Sequence, residues 1–228
     1  MTPILGRATG QCYLRFMGRA LSRCGVILAA GESSRMGRDK ALLPWPPLAG
    51  GGLATGCFLS AAINLFNPYV DVVLVVAGKN EPNLTPIVYA NGASLVVNPE
   101  PERGQFSSLQ TGLQEVLNRG RDAALITLVD RPPVKPATVE ALDEAFERAI
   151  RQWKWCVVPE YHGVHGHPFL AAREMIEAFL KAPSSSSARD VQQTHQDKIV
   201  YVPIDDPLLT ANIDTPEQYA ALPEPALH

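Results

Sequence analysis

The chain has 228 residues, a formal net charge of −3, 46% hydrophobic and 19% charged residues, a balance that excludes a disordered or membrane-bound class and a nucleic-acid binder working through a broad basic face. Such a length suits one domain with a sizeable buried core. Cys12, Cys24, Cys57 and Cys156 stand far apart with no C-x-x-C pair, the usage of reduced thiols in a cytoplasm rather than of a disulfide framework or a zinc ribbon.

Along the chain, residues 1–23 read as a poorly ordered extension, with Met17 a candidate start. Arg15 and Arg19 interrupt the apolar core that a targeting peptide needs, and no uncharged run approaches the roughly 18 residues of a membrane span. The domain proper is expected over 24–222, followed by a tail at 223–228. Strands are predicted at 25–29, 70–77, 94–98, 123–129, 156–159 and 198–202, most too apolar for a sheet with one wet face. Helices are predicted between them at 53–66, 106–118, 136–152, 171–182, 188–195 and 216–221. In the third of these, Val139, Leu142, Ala145, Phe146 and Ala149 recur at three- and four-residue intervals and leave Glu140, Asp143, Glu147 and Arg148 for solvent. The Pro- and Gly-rich 44–52, the stretch 78–86 and the serine run 183–187 read as irregular. Alternating strands and helices predict a layered α/β fold with a mainly parallel sheet covered on both faces.

Behind the first strand lies VILAAGESSRMGRDKALLPW, residues 26–45. A glycine loop at the carboxyl end of a central parallel strand lets backbone N–H groups approach phosphate oxygens. Gly31 and Gly37 match neither a Lys-Ser/Thr phosphate loop nor G-x-G-x-x-G, which weakens the kinase-type and dinucleotide readings. Arg35 and Lys40 offer a planar fork and a mobile charge to a polyphosphate, with Ser33 and Ser34 as neutral donors. By composition alone, a triphosphate loop and a solvated loop with routine charges are equally supported. Asp130 follows the apolar run ALITLV, and Asp214 precedes the last helix. Both suit a divalent cation, and both also suit turn chemistry, with Thr215 and Gln218 forming a capping box. His162, His165 and His167 crowd into YHGVHGHPF, where glycines and a proline favour a turn over a zinc site. His195 reads as surface.

These residues resemble the MobA-like nucleotidyltransferases, closest to the molybdenum-cofactor cytidylyltransferases. The resemblance is carried by Leu28-Ala29-Ala30-Gly31, Ser34-Arg35-Met36-Gly37 and Lys40 with Leu42-Leu43-Pro44. It continues at Asn98 with Gly104 and Ser107-Ser108-Leu109, at Asp130-x-Pro132, Gly166-His167-Pro168, Ala188-Arg189-Asp190 and Ile213-Asp214-Thr215-Pro216. It implies a single three-layer α/β/α domain with a mainly parallel, Rossmann-like sheet of the nucleotide-diphospho-sugar transferase type. It also implies a cytoplasmic enzyme that moves an NMP to a phosphate-bearing acceptor such as molybdopterin, with Mg²⁺ and release of pyrophosphate, and a molybdoenzyme as partner. Leu28, Ala29, Ala30, Gly31, Ser34, Arg35, Gly37, Lys40, Asn98, Ser107 and Ser108 would bind the nucleotide. Arg35, Lys40 and Asp130 would be catalytic, Asp130 and Asp214 would hold Mg²⁺, and Gly166 with His167 would face the acceptor. Ala30, glycine in the guanylyl-transferring branch, tilts the base toward cytosine and so the donor toward CTP. The chain departs from the family at Ser187, Asn212 and the insertion after Trp45. These departures leave open another small phosphate as acceptor, or a non-catalytic nucleotide-binding chaperone for a molybdoenzyme.

Overall fold

The computed structural model describes residues 21–31, 36–47 and 56–222. Expectations for 1–20, for Ser33, Ser34 and Arg35, for 48–55 and for 223–228 lie outside the described residues.

Eight strands form one mixed sheet. They are β1 (Arg23–Leu28), β4 (Val72–Ala77), β5 (Ser94–Val97), β6 (Ala123–Leu128), β7 (Cys156–Tyr161), β8 (Val164–His165), β9 (Phe169–Ala172) and β10 (Ile199–Pro203). A small antiparallel hairpin of β2 (Pro44–Trp45) and β3 (Gly56–Cys57) stands apart. The main order is β10-β7-β9-β6-β1-β4-β5, with β8 hairpinned onto β7. All pairings along it are parallel except those of β9, which runs antiparallel to both β6 and β7.

Seven helices are present among the described residues: α1 (Phe58–Phe66), α2 (Glu81–Ala90), α3 (Gln105–Asn118), α4 (Pro136–Arg151), α5 (Arg173–Lys181), α6 (Ala188–Thr194) and α7 (Pro216–Ala220). Strand alternation divides the core between two layers. Ile27, Val73 and Val75 face Ile63, Leu84, Leu142 and Phe146 on one side, while Val26, Leu74 and Val76 face Leu113, Ile176 and Phe179 on the other. This is the three-layer α/β/α arrangement expected. Close approach of α3 to the sheet depends on Gly112, where a Cβ would lie 2.8 Å from Val26 Cγ1 and Val76 Cγ2.

Four expectations need correction. The helix predicted from 171 starts at Arg173, because Phe169–Ala172 is a fully buried strand wedged into the sheet. An apolar run that short carries no periodicity to separate strand from helix. The stretch 78–86 is not irregular throughout. Helix α2 begins at Glu81, with Pro82 in the first turn where its missing N–H costs nothing, and buried Leu84 and Val88 hold the helix down despite Pro86. Arg23 belongs to β1 and not to an extension, since its buried guanidinium pairs with Asp143 and Glu147 and lies over Phe146. Those two acids therefore face a charged partner and not solvent alone. Within 44–52, Pro44–Trp45 is not irregular but pairs with Gly56–Cys57 as β2. The serine run 183–187, by contrast, holds neither helix nor strand, as expected, and ends at Ser187, which caps α6, its hydroxyl accepting from Asp190 N while the Asp190 carboxylate accepts from Ser187 N.

Candidate active site

Strand β1 lies between β6 and β4; the chain runs from β1 to β4 and β5 on one side and then crosses from β5 to β6 on the other, so the carboxyl ends of these strands open the crevice where α/β sheets bind ligands. Leu28 ends β1, Leu128 ends β6 just before Asp130, and Ala77 ends β4 just before Gly78. Asn80 ties the loops together. Its Nδ2 donates to Ala29 O (2.9 Å) and to Asp39 Oδ2 (2.6 Å), while its Oδ1 accepts from Gly78 N (3.1 Å). Asp39 in turn caps the short turn Lys40–Leu42 by accepting from Ala41 N. The position of Lys40 is thus set by side chains from two loops.

Lys40 Nζ lies 2.6 Å from Asp214 Oδ1 and 3.7 Å from Asp130 Oδ2. The second acid is held just as closely. Asn212 Nδ2 donates to Asp214 Oδ2 (2.5 Å), Asp214 N donates to Gln218 Oε1 (2.6 Å), and Ile213 N donates to the carbonyl of Asp130 (3.0 Å). Arg131 Nη1 donates to the carbonyls of Thr210 (3.0 Å) and Ala211 (2.9 Å) and so fastens the approach to Asp214. A satellite core of Met36, Leu43, Phe58 and Ile213, with Trp45 and Tyr219 packed on it, joins the segment of Lys40 to that of Asp214.

Two carboxylates share one ammonium, and Asp130 Oδ1 is buried with no hydrogen-bond partner among the described residues. An unpaired carboxylate oxygen is costly to bury. A small divalent cation would satisfy it. Among the described residues no three His, Cys, Asp or Glu side chains converge as a metal cluster. Two acids nevertheless fit Mg²⁺ or Mn²⁺, which take one or two carboxylates and complete their shell with phosphate oxygens and water.

Two cavities meet here. The smaller, about 490 Å³, is lined by Ala30, Gly31, Lys40, Gly104, Ser108 and Asp130. The N-terminal turn of α3 faces it and adds the positive end of a helix dipole. The larger, about 880 Å³, is lined by Gly166, His167, Arg131 and Ser187 among others. Leu28, Gln105 and Leu128 line both.

The expected site residues divide accordingly. Leu28, Ala30, Gly31, Lys40, Ser108 and Asp130 border the smaller cavity. Ala29 is buried, its N–H donating to Val76 O, and Gly37 takes the left-handed conformation (φ +69°) before the Lys40 turn. Asn98 and Ser107 form a buried clasp: Asn98 Nδ2 donates to the hydroxyls of Ser107 (2.9 Å) and Ser108 (3.0 Å), and Ser107 Oγ donates to Gly104 O (2.8 Å). Gly166 cannot carry a side chain without collision, since a Cβ would fall 2.5 Å from Leu209 O.

The histidines do not converge on one point. His162 packs on Tyr161, His165 stacks on Tyr201, and His167 meets Phe169. Burial, with a lesser push from Arg131, drives the His167 imidazole down to about 3, so the ring is neutral near pH 7. His195, read as surface, rests against Trp155.

Asn80 and Arg131 carry no sequence signal of their own. Asn80 lies in a stretch whose composition reads as loop, and Arg131 is the unspecified middle residue of Asp-x-Pro.

Residues 25–199 match the MobA-like NTP transferase domain. The chain belongs to this family. As a MobA-like NTP transferase it is 24% identical to a molybdenum cofactor cytidylyltransferase of Escherichia coli strain K12, across 87% of this chain and 94% of that one. It is 30% identical to a probable molybdenum cofactor guanylyltransferase of Mycobacterium avium strain 104, across 55% of this chain and 58% of that one. The MobA-like chain thus spans under two thirds of the latter relative and nearly all of the former. Its fold is shared by Rv0371c from Mycobacterium tuberculosis H37Rv in complex with manganese, with a TM-score of 0.68, 20% identity, and coverage of 87% of this chain and 96% of that one. No helix among the described residues is long and apolar enough to cross a membrane.

Proposed function

We propose that this MobA-like protein transfers CMP from CTP to a small phosphate-bearing acceptor of molybdopterin type. The carrying observation is the Lys40 ammonium set between Asp130 and Asp214, with Lys40 and Asp130 lining the smaller cavity, which shares Leu28, Gln105 and Leu128 with the larger one. The triphosphate occupies the smaller cavity, where Lys40, the Gly31 backbone and the α3 N-terminus meet negative charge. The acceptor phosphate enters from the larger one, past Gly166 and His167. One of its oxygens attacks the α-phosphorus, the bond from that phosphorus to the bridging oxygen of pyrophosphate breaks, and a new diphosphate linkage forms as pyrophosphate leaves. A phosphate monoester is already anionic near neutral pH, so no protein base is needed, and the main tasks are alignment and charge stabilisation. Mg²⁺, held by Asp130 and Asp214, would supply further charge stabilisation on the triphosphate.

CTP is favoured over GTP because the Ala30 methyl group narrows the smaller cavity. It packs toward Gly78, where a Cβ on that glycine would come within 3.3 Å of it. The nucleotide is tested by thermal shift of the whole protein with each of the four NTPs and Mg²⁺. A ligand at about 100 times its dissociation constant adds roughly 2.7 kcal/mol. CTP is expected to give the largest rise, and a rise with GTP alone would overturn the base assignment. Lys40→Ala and Asp130→Ala are expected to abolish pyrophosphate release across a panel of phosphate acceptors while remaining folded. Near-normal rates in either variant would sink the reading.

A further inference from the structure

We infer that Arg131 is an acceptor-binding residue, a fixed guanidinium that receives the phosphate of an acceptor with an apolar body in the larger cavity. The inference deepens the proposed transfer and rests on it for the term acceptor, while the phosphate site itself stands on geometry.

Among the described residues the larger cavity has no Asp or Glu in its lining, although the whole chain is acidic. Its floor is apolar, with Phe106, Leu109, Ile126, Val158 and Phe169. Three arginines reach it, and their partners differ. Arg103 is paired with Glu100. Arg189 is exposed beside Asp190. Arg131 alone of the three is half-buried and held by neutral groups, the carbonyls of Thr210 and Ala211, and no carboxylate of the described residues forms an ion pair with it. Its Nε is buried without a hydrogen-bond partner among the described residues. A guanidinium anchored by two carbonyls loses little further freedom on binding, and its charge lacks compensation until an anion arrives.

Chain geometry places that anion usefully. Asp130 lines the smaller cavity and Arg131 the larger, and successive Cα atoms lie about 3.8 Å apart. Neighbours in the chain thus open onto adjoining cavities, so a phosphate on Arg131 would sit in the cavity next to the one whose acid is proposed to serve the nucleotide. His167 shares this wall as a neutral ring, able to donate one N–H but adding no charge. The cavity's buried positive charge thus falls to Arg131.

The test uses the full-length protein without nucleotide, with phenyl phosphate and inorganic phosphate as probes followed by saturation-transfer NMR. Arg131→Gln keeps amide donors for the two carbonyls but removes the charge, and Arg131→Lys keeps the charge but loses the fork. Wild type is expected to bind phenyl phosphate more tightly than inorganic phosphate. Arg131→Gln should weaken phenyl phosphate roughly tenfold or more, with Arg131→Lys in between and Lys40→Ala like wild type. Equal binding by wild type and Arg131→Gln would overturn the inference. So would loss of binding in Lys40→Ala alone, or no saturation of wild type at millimolar concentrations. The thermal shift of Arg131→Gln with Mg²⁺ and CTP should match wild type, which separates loss of the phosphate site from a general collapse of the 210–214 segment. Failure of the protein to turn over any NTP would leave the phosphate result standing by itself.

Discussion

His167 keeps its ring among Phe169, Arg131 and the cavity wall, and its burial favours the uncharged form. With a folded value near 3 against an ordinary 6.5, the unfolded chain binds the extra proton first as pH falls. The stability tied to a neutral ring is therefore complete above pH 6.5 and is lost progressively from 6.5 toward 3, at up to about 1.4 kcal/mol per pH unit. Part of the ring faces the cavity, so the observed slope should be smaller. Urea unfolding of wild type and His167→Gln between pH 7.5 and 5 should show the steeper loss in wild type, and parallel curves would remove the effect. Ala30 offers a second test at this scale. Ala30→Gly is expected to raise the relative preference for GTP by up to about tenfold in NTP competition, the scale of one methyl contact. Lys40, Asp130 and Asp214 stood out in the sequence through the motif resemblance, since residue type alone left a solvated loop and ordinary turn chemistry open. Asn80 and Arg131 were hidden, because an amide or guanidinium shows its role only through partners 41 to 80 positions away, whereas Asn98, Ser107 and Ser108 stood out through the motif resemblance and only the hydrogen bonds among them awaited the fold.

Lys40 and Asp214 come from opposite ends of the domain, and the elements around them explain how they meet. Phe58 at the start of α1 is almost wholly buried between Trp45 of β2 and Tyr219 of α7, and the Tyr219 hydroxyl donates to Pro44 O at 2.7 Å. These contacts clamp the Lys40 segment to the helix that follows Asp214. Phe58→Ala is expected to cost about 3–5 kcal/mol and to raise the midpoint concentrations for both NTP and Mg²⁺. Chemical denaturation together with ligand-induced thermal shifts would check it. Helix α4 was legible from its periodicity, and α7 from Pro216 and the Thr215–Gln218 box, which the structure reproduces. Strand β9 was not legible, since its four residues are buried on both faces and its antiparallel direction follows from the chain reversal after β7 that carries β8.

Across the whole molecule, the sheet separates two helical layers and leaves one edge for chemistry. Cys24 and Cys156 lie within it, fully buried, with burial pushing the Cys24 thiol up to about 11 and Cys156 higher still. Cys57, at the N-cap of α1, is only half-buried. In a Cys12→Ser background, a thiol reagent is expected to modify Cys57 in the native state, while Cys24 and Cys156 react only at the rate of global opening. Mass-spectrometric timing of each site checks this, and early labelling of Cys156 would contradict the buried core.

The sequence by itself determined the alternating strands and helices, the two-faced apolar core and the charged types behind β1 and β6, because hydrophobic periodicity and motif spacing are local properties of the chain. Only the tertiary structure decided that an antiparallel strand splits the parallel sheet, that one ammonium stands between two acids 84 residues apart (130 and 214), and that Asp130 and Arg131 open onto different cavities. Those features depend on which distant backbone and side-chain groups satisfy one another once water is excluded, and no local pattern encodes that pairing.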